Sequence, residues 1–319
     1  MRVVVTGGCG FIGSHVADRL LAAGHRVLVV DTVADGLPAG AGYAPVDILD
    51  PDGLAAAFEG SEAVFHLAAM ADVGRIEADP VRSVRLNVEG TTSVLEAARR
   101  SGVGRTVLAS TVWVYGAASG ERDSDAAELT EDAPIDLGRS GHLYVAGKLA
   151  AELVAHSYRE LYGQHFTVLR YGIPYGPRMR DELVIARFVQ AALAGRPITI
   201  AGTGAQTRNF VYVEDLAEAH VRALSAAAED QTIALEGSTP VSIRQIADTV
   251  DELLGPVTVE QVPARAADYA SRRISNAKAA RLLDWSPVTP FAEGVRRYVD
   301  WYRERDGDGS GAWDGGRAR

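Results

Sequence analysis

An all-aliphatic run at residues 3–5 leads through the stretch TGGCGFIG into an amphipathic segment, and Gly7, Gly8, Gly10 and Gly13 crowd the join. A strand that hands over to a helix through so many glycines leaves room for something large against the turn. Gly7 permits the sharp reversal, Gly10 lets the main chain approach a pyrophosphate, and Gly13 lets the helix lie tight on the strand. The first helical N–H groups, in the turn that holds Phe11 and Ile12, then face the phosphates with the positive end of the helix dipole. Asp31 closes the next aliphatic run. A carboxylate about 20 residues beyond such a turn binds ribose hydroxyls and repels a 2′-phosphate. The pattern therefore predicts a dinucleotide site that takes NAD. Asp47 and Ile48, just after a third strand, are placed to hold the adenine, one by a polar contact and one by packing.

The rest of the first half alternates strand-like and helix-like segments, up to FTVLRYG around residue 170. Strands separated by helices predict an α/β fold of Rossmann type, a doubly wound parallel sheet with helices on both faces. Beyond residue 171 the rhythm loosens into stretches rich in Gly, Pro and polar residues, which predict a smaller mixed substrate-binding region. The expected division is a nucleotide-binding domain over 1–171 with a return segment at about 210–236. The substrate-binding region is expected over 172–209 and 237–304, with a disordered Gly- and charge-rich tail over 305–319.

Composition narrows the function classes. The formal charge is −10, which argues against nucleic acid or an anionic membrane as partner. Cys9 is the only cysteine, so neither an intramolecular disulfide nor a cysteine-built zinc site is expected, and no metal is expected. The chain runs straight into a strand with no basic leader, and no apolar run reaches the length of a membrane span. A cytoplasmic protein is the expectation.

The stretch YVAGK puts Tyr144 and Lys148 four residues apart, on one face of a helix. A free phenol, with a pKa near 10, is a poor base at neutral pH. A neighbouring ammonium and an oxidised nicotinamide both favour the phenolate and bring it toward the working range of a general base.

With these residues in view the chain resembles the extended short-chain dehydrogenase/reductases, in their nucleotide-sugar epimerase/dehydratase branch. TGGCGFIG, HLAA at 66–69, NVEGT at 87–91, STVWVYG at 110–116, YVAGK, RYGIPYGPR at 170–178, GTGAQTRNFVYVEDLAEA and NAKAARLLDW occur in the family's order. The resemblance spans about residues 1–302. It implies that Leu67, Ala68, Ala69 and Asn87 join the glycine loop in holding NAD. It makes Thr111, four residues before Tyr115, the catalytic hydroxyl. It also implies that Arg208, Arg265 and, more weakly, Arg178 hold the nucleotide diphosphate, and that a homodimer forms through helices at 81–101 and 143–162.

Departures from the pattern carry the reading of the reaction. Dehydratases of the family commonly have Asp-Glu after the catalytic threonine, and decarboxylases keep the glutamate; here Val112 and Trp113 stand there. Neither residue moves the proton that elimination requires, so oxidation followed by reduction remains, with Trp113 walling the sugar pocket. The expected activity is 4-epimerisation of a UDP- or TDP-hexose or hexuronate. A dehydratase or decarboxylase drawing its acid from elsewhere, and a non-catalytic NAD-binding regulator, are the alternatives. Ile173 replaces a usual asparagine, Gly147 a usual serine, and His142 a frequent serine two residues before the tyrosine.

Overall fold

The computed structural model describes residues 1–116, 128–139, 142–264 and 273–307. Arg265 and residues 308–319 of the expected tail lie outside these. Twelve strands are described, in chain order β1 (Arg2–Thr6), β2 (Arg26–Val30), β3 (Gly42–Ala44), β4 (Ala63–His66), β5 (Arg105–Thr111), β6 (His165–Tyr171), β7 (Ile173–Tyr175), β8 (Ile198–Ala201), β9 (Thr207–Tyr212), β10 (Gln231–Leu235), β11 (Pro240–Ser242) and β12 (Val259–Val262). Seven of them form one sheet in the order β10-β6-β5-β4-β1-β2-β3, every pairing parallel. This is a Rossmann-type doubly wound sheet.

The central strands read as continuous aliphatic runs because helices cover both faces. Val3 and Val5 enter one core with Val16, Ala17 and Leu20 of the helix Phe11–Ala22. Val4 points the other way, into a core with Leu54, Phe58, Val94 and Ala97 from the helices Pro51–Phe58 and Gly90–Arg100. Strand order reverses on either side of β1. This is the switch point at whose carboxyl ends ligands bind in open α/β sheets, and the glycine turn lies there.

A second core, around Tyr175, Phe188, Ile198, Tyr212, Ile246 and Tyr298, holds a smaller region. Its sheets are β11-β9-β7, which is mixed, and the parallel pair β12-β8. Residues 210–212 belong to β9 of this smaller region, so the return to the main sheet starts at the helix Val213–Arg222 and ends in β10. The last helix, Phe291–Gly307, carries helical structure three residues into the expected tail. Among the described residues no helix is long and apolar enough to cross a membrane.

Candidate active site

The glycine turn is built so tightly that side chains have no place in it. Gly7 has φ +69, and a Cβ there would lie 2.7 Å from the Ala68 nitrogen. A Cβ on Gly13 would come within 2.1 Å of the Gly7 carbonyl oxygen, so the helix rests directly on the turn. A Cβ on Gly10 would meet only that same oxygen, at 3.2 Å, within 4 Å, which leaves the approach to the helix N-terminus open. Phe11 packs toward the second core and Ile12 toward the first.

Asp31 is half-buried at the end of β2, and its carboxylate accepts the Cys9 N–H at 3.1 Å. The carboxylate thus braces the turn and stands beside it, where a ribose would need an acceptor. Burial pushes its pKa up, against the backbone hydrogen bonds that favour the charge. The same burial, helped by Asp31, holds the Cys9 thiol protonated with a pKa up at about 12. These features fit NAD: a side-chain-free cradle, a helix N-terminus that no side chain caps and a carboxylate acceptor.

Other expected cofactor contacts are already engaged with the protein. Asp47 is exposed, and its carboxylate accepts the Leu49 N–H at 3.0 Å. Ile48 is buried against Gly90, where a Cβ would lie 2.6 Å from its Cδ1. Asn87 sits in a π-helical turn, Arg85–Glu89, and its amide both accepts from the Met70 N–H (2.8 Å) and donates to the Met70 carbonyl (2.9 Å). It therefore shapes the loop after β4 that contains Leu67, Ala68 and Ala69, all half-buried beside the glycine turn. A Cβ on Gly147 would stand 3.2 Å from the Asn87 Cβ, so a glycine before Lys148 suits this close approach.

Tyr144 and Lys148 project from the helix Leu143–Tyr162. Tyr144 is half-buried, with Trp113 edge-on at 6.3 Å between ring centroids. Lys148 is buried; its ammonium donates to the Ala109 carbonyl of β5 at 2.9 Å. Burial pushes the phenol up to about 12, and the charge that pulls it back down is that of Arg180. Lys148 is lowered to about 8 by burial, against the pull of Glu152 one turn further on. The expectation that the lysine lowers the tyrosine is thus met differently: in the protein alone the ammonium is held by β5 and an arginine from the smaller region acts on the phenol. Thr111, buried at the end of β5, accepts the Trp113 N–H at 3.2 Å.

Behind this pair lies a buried polar network that the sequence reading missed. Arg170 grips Glu152 through Nε (3.0 Å) and Nη2 (2.6 Å) and donates to the Tyr115 hydroxyl at 2.6 Å. Ser110 donates to the same carboxylate. The signal for it was present: an arginine inside an aliphatic strand, FTVLRY, requires a buried partner.

The arginines divide. Arg178, at φ +64, turns onto the first helix and pairs with Asp18 at 2.7 Å, beside His15, whose ring meets the Pro177 carbonyl at 2.9 Å. Arg180, which the sequence reading passed over, pairs with Asp72 at 2.7 Å, and its charge draws down the Tyr144 phenol. Arg208 lies half-buried on β9, donating to the Thr207 carbonyl. Ile173 packs against the second core.

A parallel doubly wound sheet, a glycine turn made for a dinucleotide and a helical tyrosine–lysine pair define an enzyme of the extended short-chain dehydrogenase/reductase class. Residues 3–235 match the model of the NAD dependent epimerase/dehydratase family. The chain belongs to that family, and its cofactor is NAD. Among relatives it is 35% identical to a UDP-glucose 4-epimerase of Mycolicibacterium smegmatis, over 96% of this chain and 99% of that one. It is 33% identical to a UDP-glucuronate 4-epimerase of Thermodesulfobacterium geofontis, over 94% and 96%. A UDP-glucose 4-epimerase of Thermus thermophilus, solved with NAD, matches with a TM-score of 0.84 at 34% identity, covering 95% of this chain and 99% of that one.

Proposed function

We propose that this protein is an NAD-dependent nucleotide-sugar 4-epimerase acting on a UDP- or TDP-hexose or hexuronate. The observation that carries the reading is the pairing of Tyr144 with Trp113. The phenol assigned as the base lies beside an indole that occupies the chain position where dehydratases and decarboxylases of the family carry their acid.

In this reading Gly7, Gly10, Phe11, Ile12 and Gly13 receive the pyrophosphate, and Asp31 the adenosine ribose. NAD held by these residues would supply a reversible hydride acceptor and, in its oxidised form, a positive charge that favours the phenolate. Thr111 donates a hydrogen bond to the sugar 4-oxygen, and Tyr144 takes that oxygen's proton. Lys148 holds the nicotinamide ribose, and its charge, with that of Arg180, favours the phenolate. The 4-keto sugar turns over against the Trp113 wall. Tyr144 then gives its proton back, and a net isomerisation results. Arg208 and Arg265 are assigned to the diphosphate. With Val112 and Trp113 unable to carry protons, neither position after Thr111 can help expel water or carbon dioxide.

The same reading includes a homodimer. Val81 and Val84 on the helical run 80–100 and Leu153 and Leu161 on the neighbouring Leu143–Tyr162 are exposed apolar side chains on helices that pack side by side, as a four-helix interface requires.

A panel of UDP- and TDP-hexoses and hexuronates, followed by NMR, tests the activity. The expected product is the 4-epimer with no net NADH. Loss of water or carbon dioxide, or NADH accumulating with a keto product, overturns it.

A further inference from the structure

The main chain passes between the two regions at Gly172, which joins β6 to β7; at Tyr212–Val213, where β9 meets the returning helix; and at residues 236–239, which join β10 to β11. Glu236 stands among these crossings. Its side chain is 2% exposed, and its Oε2 is buried with no hydrogen-bond partner among the described residues. Its carboxyl is hydrogen-bonded by the side chain of Asn209, the residue after Arg208 on β9. Its Oε1 lies over Gly172, where a Cβ would come within 2.8 Å. Its main chain is clamped by Asn276, which accepts the Glu236 N–H at 2.8 Å and donates to its carbonyl at 2.9 Å. Gly237 follows, and a Cβ there would meet the Phe210 carbonyl oxygen at 2.0 Å.

The carboxyl therefore meets Gly172, the residue that leads into β7 and on toward Arg180, and Asn209 of β9, the strand that carries Arg208. We propose that Glu236 is a positioning residue that locks the joint between the two regions and so sets Arg180 and Arg208 in place against Tyr144. The assignment of Arg208 to a nucleotide sugar and of Arg180 to the phenol rests on the function proposed above. Among the described residues no charged side chain acts on Glu236; burial raises its pKa to about 8, opposed only by Asn209. A buried carboxyl with an orphaned oxygen and no cation is far less costly as the neutral acid than as the anion. Ionisation at this point draws water into the joint and loosens β7 and β9.

Two readouts test this. The folded protein holds a proton on Glu236 that the unfolded chain releases from about pH 4.5, so stability falls as pH rises from there to about 8 and then levels. Glu236→Gln lacks this loss. Its Tm advantage over the wild type should therefore be small at the acid end of that window, grow across it and stay constant above; a Tm difference that does not change with pH overturns the proposal. This measurement needs no substrate and stands even if the epimerase reading fails. The second readout uses the nucleotide sugar that the holoenzyme turns over. Glu236→Ala should raise KM by at least about fivefold through a misplaced Arg208 and shift the rising limb of kcat/KM to higher pH through a misplaced Arg180, with bound NAD nearly unchanged. Glu236→Gln should hold the wild-type KM and keep it past pH 8, where that of the wild type rises. A wild-type KM in the alanine variant, or a loss confined to kcat, overturns the positioning role.

Discussion

The ammonium of Lys148 stands 5.9 Å from the centroid of the Tyr144 ring and is held there by the Ala109 carbonyl of β5. Burial holds the phenol high in the protein alone, at about 12, and Arg180 is the side chain that draws it down. A base works only when deprotonated, so a higher phenol pKa leaves less active enzyme at a given pH. Arg180→Leu should shift the rising limb of kcat/KM to higher pH, and Arg180→Lys should largely restore it. The bare Asp72 carboxylate adds to the shift in the leucine variant, so Arg180→Leu/Asp72→Asn should shift it less. Tyr144→Phe should lower kcat by roughly 10²–10⁴-fold with NAD still bound, measured as nucleotide released on denaturation. A pH profile that ignores Arg180 would remove it from the account of the base.

Arg170 and Glu152 form a buried pair whose two halves stabilise each other. Arg170→Met leaves the Glu152 charge buried beside Ser110, at a cost of about 3–5 kcal/mol in urea unfolding. Arg170→Met/Glu152→Leu should recover most of that loss, since removing both charges removes the desolvation cost. The recovered fold should still turn over poorly. Without Glu152 the Lys148 pKa falls below its value of about 8, so the lysine loses its proton at lower pH and kcat declines from neutral pH upward. Equal recovery of stability and activity would show that the network has no bearing on the lysine.

Much of this arrangement is legible in the residues themselves. The glycine turn and the strand–helix alternation are local patterns, set by sterics and by burial on both faces of a parallel sheet, and the helical spacing alone puts Tyr144 and Lys148 on one face. What escapes is whatever depends on the path of an irregular segment. Arg178 and Arg180 are two residues apart, yet with a left-handed residue at 178 the first pairs with Asp18 and the second with Asp72, from where its charge acts on the phenol. Ile48 and Asn87 match positions expected at the cofactor, but their side chains are engaged by Gly90 and Met70 through packing that no short motif encodes. Glu236 is illegible for the same reason, because its neighbours Gly172, Asn209 and Asn276 come from three distant segments.

His142 caps the helix that carries the tyrosine. Its Nδ1 accepts the Tyr144 N–H at 3.1 Å, from an extended backbone at φ −109 and ψ 128. The imidazole thus does the work of a capping serine and fixes the main chain of Tyr144. His142→Ala should cost about 1 kcal/mol in unfolding and lower kcat more than it raises KM. His142→Ser and His142→Asn, which keep an acceptor at the cap, should restore both. If the alanine variant raised KM alone, the ring would be a sugar contact and not a cap.

The exposed apolar stripe on the paired helices makes a sharper test of assembly than any catalytic residue, because it lies on the outer face of the elements that carry the site. Leu153 is 66% exposed and Leu161 71%, with Val81 at 71% on the adjoining helical run. An isolated exposed leucine is ordinary, but several large exposed apolar side chains on two packed helices are what an interface between copies requires. In a homodimer each helix pair meets its own copy across a two-fold axis, so one substitution acts twice. Leu153→Glu should therefore bury two like charges and convert the dimer to monomer in sedimentation at micromolar concentration. Leu153→Met should leave it intact. The monomeric variant should also have a lower Tm that does not depend on protein concentration, whereas the wild-type Tm should rise with it. A wild-type chain that sediments as a monomer at every concentration would leave these side chains simply solvated, and the four-helix assembly would be wrong.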